Sequence, residues 1–284
     1  MSLKSAVIAM FMILLMAGIL NAGNMETKNI VIPADNIKKL IVNADLSVGI
    51  YTVIPDDMEE ILKADIEYND RRLEVFTDYE KEGDIGYIDL GTRRLRKTDF
   101  DTDDNVWDIK LSNRYPVEME FDIAACEADI DLGGIPITYL DFNMGAADGK
   151  LDFSRPNPET AARVNFDAGA GKFEIERLGN LNFKRLYLDG GMGKFIIDFS
   201  GKYTMKSRAK ISLGLASAVI YLPKDLPFRI EADENFLSSI DFDELHEFEA
   251  GDNYYESNDY DQSDYGLDLF IDVGIGSVSI EWSE

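Results

Sequence analysis

The chain of 284 residues contains one cysteine, Cys126, one histidine, His246, and eight prolines. One thiol cannot close an internal disulfide, so no covalent staple holds the fold. Cys126 lies in an apolar, small-residue stretch and reads as a core residue, with an intermolecular bridge as the alternative. With a single His and a single Cys, zinc sites of the usual kinds are excluded, as are Ser-His-Asp and Cys-His catalysis. His246 sits in ELHEFE and reads as solvated. Long hydrophobic runs are also scarce. Only Ala6 to Leu20 approaches one, behind Lys4 and ahead of Asn21-Ala22-Gly23. That order matches a secretory signal cut near Ala22, so residues 1–22 are expected to be removed; an uncleaved anchor is the alternative. No membrane span is expected after cleavage.

Positive charge is the next shortage. The chain carries 28 Lys and Arg against 54 Asp and Glu, a net charge of −26. Removing residues 1–22 takes away one Lys and no acid, which makes it −27. Such a surface repels nucleic acid and anionic headgroups.

What the sequence has in abundance is self-similarity. The segments ADLSVGIYTV, FDIAACEADI, FDAGAGKFEI, LDGGMGKFII, ISLGLASAVI and IDVGIGSVSI align, and FNMGAADGKLDF reads as the same unit with two extra residues. Aligned on their second residue, they superpose Asp45, Asp122, Asn143, Asp167, Asp189, Ser212 and Asp272. From Asp122 to Ser212 the spacings are 21, 24, 22 and 23 residues. Apolar residues alternate before the aligned position (Val164 and Phe166, Leu186 and Leu188), which is the period of a strand with one buried face. The alternation is read as continuing just past it, through Leu213 and Leu215 or Val273 and Ile275. Four residues after the aligned position comes a small residue: Gly49, Cys126, Gly171, Gly193, Ala216 or Gly276. The apolar phase then slips by one, which a bend or bulge at that residue restores. Each repeat is two short strands joined at a corner.

Coils of about 22 residues have no room for a crossover helix. Stacked in parallel, with rungs about 4.8 Å apart, they make an all-β fold, a β-solenoid or parallel β-helix. An antiparallel meander is the alternative. In-register stacking accounts for like residues at like positions, such as Phe142 with Phe166 and Lys150 with Lys172 and Lys194. Residues 23–115 read as an N-terminal β region continuous with the solenoid. Residues 116–284 are the repeats, interrupted by an acidic surface excursion at about 223–266 before the last unit closes the end.

The segment VWDIKLSNRYPVEMEFDIAACEADIDLGGI, the repeats FDAGAGKFEI and LDGGMGKFII, and the ending DVGIGSVSIEW resemble the toast-rack group and the related LiaF-like cell-wall-active antibiotics response proteins of bacteria. The resemblance covers roughly residues 100–284 and, less clearly, 28–100. It implies a solenoid-like domain at the bacterial cell envelope and carries over no catalytic residue. LiaF-like members have membrane helices and a role in envelope-stress signalling; this chain lacks such helices after the signal.

The remaining candidates are acidic. The aligned Asp column puts like charges side by side on the outside, which is unfavourable unless each side chain bonds nearby backbone or a cation sits between. Backbone bonding is the preferred reading, with Lys150, Lys172 and Lys194 offsetting repulsion across the corner. Two clusters have the oxygens for calcium: Asp99, Asp101, Asp103 and Asp104 with Asn105, and Asp252, Glu256, Asp259, Asp261 and Asp264. Neither has the spacing of an EF-hand, and solvated acidic loops are the preferred reading. Tyr254, Tyr255, Tyr260 and Tyr265 interleave with the second cluster, as a contact surface or as packing. The GAG and GMG glycines lack a following helix and are corner residues, not a dinucleotide site.

The sequence therefore points to an exported, non-enzymatic envelope scaffold, adhesin-like or stress-associated, in the periplasm, on the outer envelope or outside the cell. Its partner would be an envelope protein or a glycan, and it needs no cofactor. The alternative is a calcium-dependent protein that binds or degrades polysaccharide on a β-helix.

Overall fold

The computed structural model describes residues 25–95, 102–233, 238–242, 248–251 and 254–283. The expected signal segment, His246, Asp99, Asp101 and Asp252 lie outside these. Sixteen strands form one continuous hydrogen-bonded sheet. In chain order they are β1 (Met25–Ile32), β2 (Lys39–Asp56), β3 (Leu62–Asn69), β4 (Leu73–Glu82), β5 (Ile85–Arg94), β6 (Asn105–Ser112), β7 (Val117–Asp131), β8 (Ile137–Asp152), β9 (Arg163–Glu176), β10 (Arg185–Asp198), β11 (Lys206–Pro223), β12 (Phe228–Asp233), β13 (Ser238–Phe242), β14 (Phe248–Gly251), β15 (Tyr254–Ser257) and β16 (Gly266–Ser283).

The long strands β2, β7, β8, β9, β10, β11 and β16 stack in parallel in that order. Their register places Asp45 beside Asp122, Asp122 beside Asn143, Asn143 beside Asp167, Asp167 beside Asp189, Asp189 beside Ser212, and Ser212 beside Asp272. The small-residue column runs Gly49, Cys126, Ala147, Gly171, Gly193, Ala216, Gly276. Inward positions alternate on both sides of the corner and fill with Leu, Ile, Val and Phe. Phe121, Phe142 and Phe166 pack in sequence with centroids 5.2 and 6.4 Å apart, and Phe173 stacks on Phe195 at 5.4 Å.

Three sequence expectations need correction. The unit at Asn143 has no extra residues: Ala147 pairs with Gly171, and Gly149 takes the place that Phe173 holds one rung on. Lys150 therefore lies opposite Asp129 and Glu174, so Lys172 and Lys194 stack without it.

The phase slip also occurs earlier than the small residue. Two consecutive residues face outward, Gly191–Met192, Gly214–Leu215 and Gly274–Ile275 among them. Met192, Leu215 and Ile275 are 55%, 51% and 47% exposed, so the buried alternation stops before Leu215 and Ile275. The chain must turn here against the rung below. A Cβ on Gly191 would lie 2.3 Å from the Gly169 carbonyl oxygen, and Gly193 adopts φ +145° with its Cβ position 1.9 Å from the Gly171 oxygen. Only glycine meets both demands at Gly193.

The third correction concerns the C-terminal end; the first interruption is the expected β region joined to the stack, and each interruption supplies an end rung. β5 and β6 pair in parallel with the two halves of β2, on the edge away from β7. Antiparallel β4 then covers β5, β3 covers β6, and β1 covers β3. At the other end, β12 and β13 pair in parallel with the two halves of β16, on the edge away from β11, and β15 and β14 add antiparallel strands. The final repeat therefore does not close the stack; the excursion before it does. The long parallel edges of β2 and β16 are thereby replaced by the shorter strands β1, β4, β13 and β14, which are weaker templates for recruiting other strands.

Away from the strands, buried asparagines hold the connections. Asn157 Nδ2 donates to the carbonyl oxygens of Ile137 and Leu181 at 2.8 and 2.9 Å, and its Oδ1 accepts from the Ile137 amide at 3.1 Å. Asn180 Nδ2 donates to the Phe153 oxygen at 2.9 Å, and its Oδ1 accepts from the Lys202 amide at 3.0 Å. Arg177 sits in the left-handed region at φ 56°, and its guanidinium pairs with Asp152 on the preceding rung. Among the described residues no helix is long and apolar enough to cross a membrane.

Candidate functional site

Alternate residues of a strand share a face, so the outward surface before the corner is built from parallel columns. The Asp column is one. Within it, Asn143 Nδ2 donates to Asp122 Oδ1 at 3.0 Å, side chain to side chain, where the sequence led us to expect backbone. Asp167 carries the strain of the column. Partial burial, then the neighbouring Asp189 and Asp141 carboxylates, push its pKa above the usual aspartate value. The lysines beyond the corner do not relieve it. Lys150 pairs with Glu176 at 2.8 Å and Lys172 with Glu174 at 3.3 Å, each on its own side of the corner.

Two residues earlier, the column runs Asp89, Asn43, Glu120, Asp141, Asn165, Tyr187, Lys210, Phe270. Four residues earlier, it runs Glu118, Tyr139, Arg163, Arg185, Arg208, Asp268; the Val164–Leu186 pairing sets Arg163 beside Arg185. One surface thus changes sign along the stack. At the β5–β2–β7 end, a cleft of about 510 Å³ is lined by Asp45, Asp78, Asp89, Glu120 and Asp122, with Arg93 lying over the Phe76 ring at 4.6 Å. Across β9, β10 and β11 the outermost column is cationic, through Arg163, Arg185 and Arg208, while Asp167 and Asp189 stay on the same face nearer the corner. Residues 154–210 hold eleven Lys and Arg against six Asp and Glu, a net +5 in a chain whose total is −26. A charge count by segment would have found this, but the aligned units begin after the arginines and so pass over them.

The second calcium candidate is arranged around a cation already present in the chain. Arg229 Nε pairs with Glu256 at 2.6 Å and its Nη2 with Asp261 at 3.1 Å, while Tyr254 donates to Glu256. Asp259 and Asp264 do not join that pairing. Tyr260 is buried beneath two cations, with Lys206 Nζ at 4.4 Å and the Arg229 guanidinium at 4.6 Å from its ring. Tyr254 and Tyr265 are exposed. In the first cluster, Asp104 pairs with Arg72 and accepts from Asn69 Nδ2 at 3.0 Å. Among the described residues, no group of three or more His, Cys, Asp or Glu is placed to hold a metal ion. Cys126 is buried, and burial pushes its thiol up to about 12, so it is protonated and unreactive at neutral pH.

The architecture recurs in a solved structure. A proposed cell adhesion protein from Clostridium sporogenes shares 19% identity, with a TM-score of 0.55, over 91% of this chain and 100% of its own. Proposed adhesins from Bacteroides fragilis and Parabacteroides merdae each share 10% identity, with TM-scores of 0.36 and 0.29, over 93% and 92% of this chain and 100% and 97% of their own. No curated protein matches. The N-terminal domain of toast_rack, DUF2154, matches residues 21–176, which takes in the stretch before residue 100 where the sequence resemblance is weaker. With more than half its length in that match and a parallel stack of two-strand rungs, the chain belongs to the toast-rack family.

Proposed function

We propose that the protein is an exported, non-enzymatic scaffold of the bacterial envelope that works by binding, through the outward face of its stack. The carrying observation is the set of in-register columns before the corner: acidic over β2 and β7, and joined over β9, β10 and β11 by the Arg163, Arg185 and Arg208 column beside Asp167 and Asp189. A rigid surface with charge sorted along one axis is suited to recognising an extended partner, because it fixes register and orientation at once. The N-terminal run to Leu20 supports export, and the fold shared with a proposed cell adhesion protein supports an adhesive role. A single His and a buried, protonated Cys126 leave little for nucleophilic chemistry.

The test is fractionation of producing cells, followed by binding of the purified mature chain to envelope preparations. The mature chain is expected outside the cytoplasm and bound to the envelope. Full-length chain confined to the cytoplasm, or no binding, overturns the reading.

A further inference from the structure

On that reading of the face as a binding surface, we propose that Arg163, Arg185, Arg208 and Lys210 bind the carboxylates of an extended acidic polysaccharide running along the stack axis. Arg163, Arg185 and Arg208 occupy one outward column on three successive parallel strands. Rungs in such a stack are about 4.8 Å apart, and like charges placed directly opposite one another are unfavourable. Folding offsets this at the two outer members only. Arg163 Nε donates to Asn165 Oδ1 at 3.0 Å and its guanidinium lies 5.1 Å from the Tyr187 ring centre, while Arg208 Nε pairs with Asp268 at 2.8 Å. Arg185, between them, is exposed and has no ion-pair partner among the described residues. Lys210 adds a fourth exposed charge one column over, beside Tyr187.

A guanidinium fork takes a carboxylate through two parallel hydrogen bonds. A column of forks at rung spacing calls for a partner whose negative charges also recur at a fixed short interval, as they do in a uronate chain. The half-buried rings of Tyr139 and Tyr187 flank the column and offer faces for sugar rings. The site has boundaries. Glu118, Glu120 and Asp122 repel an anion at one end, Asp268 ends the column at the other, and Asp167 and Asp189 bound it on the side nearer the corner. An extended acidic peptide sets its same-face carboxylates about 6.8 Å apart, off the rung interval, and a second copy brings a net charge of −26 with it.

The test uses the mature chain and polygalacturonate as probe, with dextran and a phosphodiester polymer as comparators, followed by calorimetry at low and high salt. Wild type is expected to bind polygalacturonate, not dextran, and to lose affinity as salt rises. Arg185→Glu is expected to weaken binding about tenfold or more, with an unchanged melting curve. Lys194→Glu, on the far side of the corner, leaves binding intact. No binding, equal loss in both variants, tighter binding of the phosphodiester polymer, or a salt-sensitive dimer broken by Arg185→Glu overturns the proposal. If polygalacturonate fails while wild type and Arg185→Glu both bind envelope preparations, this inference falls and the scaffold reading stands. If envelope binding also fails, both fall.

Discussion

Gly190 and Phe195 share one space inside the stack: a Cβ on Gly190 would stand 2.6 Å from Phe195 Cζ. The same two slots are filled in complementary ways on other rungs. Met144 faces Gly149, Ile123 goes with Ala128, Leu213 with Ala218, and Ala168 with Phe173. On these inner rungs a large residue just after the aligned position takes a small one five residues on, and the reverse; the end rungs depart from this, with Leu46 and Tyr51 both large and Val273 matched to Val278. Interiors are packed to near-crystalline density, so the pair behaves as one volume.

Gly190→Ala is therefore expected to destabilise the chain by about 1–3 kcal/mol, as overpacking does. The double variant Gly190→Leu with Phe195→Ala copies the Leu213–Ala218 arrangement and is expected to recover part of that loss. Urea unfolding checks both. A double variant less stable than the sum of the two single changes would contradict the shared-volume account.

Gly193→Ala is expected to cost at least about 2 kcal/mol, because φ +145° and the Gly171 carbonyl oxygen both exclude a Cβ. Ala216→Gly, in the same column, is expected to cost less. Their melting temperatures give the ranking.

Asn157→Ala removes the partner of three backbone groups between neighbouring connections. Its expected cost is about 1–3 kcal/mol for each group left buried and unsatisfied. Hydrogen exchange at the Glu159 amide, whose 2.9 Å bond to Oδ1 is lost, should rise, while the Ile137 amide keeps the Ile135 carbonyl at 2.8 Å.

The raised Asp167 carboxyl sets a pH dependence. Above its folded pKa, Asp167 is ionised in both states and the folded state carries the penalty of the Asp column. As pH falls through the window between the raised folded value and the ordinary aspartate value, the folded state takes up the proton first and the penalty disappears. Asp167→Asn is thus expected to raise the melting temperature at neutral pH. The gain should vanish once the solution is acid enough to protonate the carboxyl in both states.

Arg229 already neutralises Glu256 and Asp261, so millimolar calcium is expected to leave the melting temperature unchanged. A clear rise would mean that the carboxylates release Arg229 for the ion.

Much of the stacking was legible from the repeat. Identical backbones stacked in register need like residues at like positions, and that demand writes itself locally into the sequence at Asp122, Asn143, Asp167 and Asp189. The binding face was less legible. Arg163, Arg185 and Arg208 are neither adjacent in sequence nor inside the aligned units. Their meaning appears only once three strands lie side by side. The surroundings of the calcium candidates were not legible either. Glu256 and Asp261 are neighbours in the sequence, but Arg229, from a strand 27 residues earlier than Glu256, sits against them.

By itself, the sequence determined that the chain forms strands with one buried face, where each repeat begins, and which residues stack up to the aligned position, because strand period and the repeat are written locally. The tertiary structure alone decided that β5 and β6 stack beyond β2, that β12 and β13 stack beyond β16, and that the outward phase breaks at Gly191–Met192 and its equivalents. Strand patterning specifies which face turns inward. It does not specify which edge a strand pairs along, and that choice rests on backbone hydrogen bonds between segments far apart in the chain.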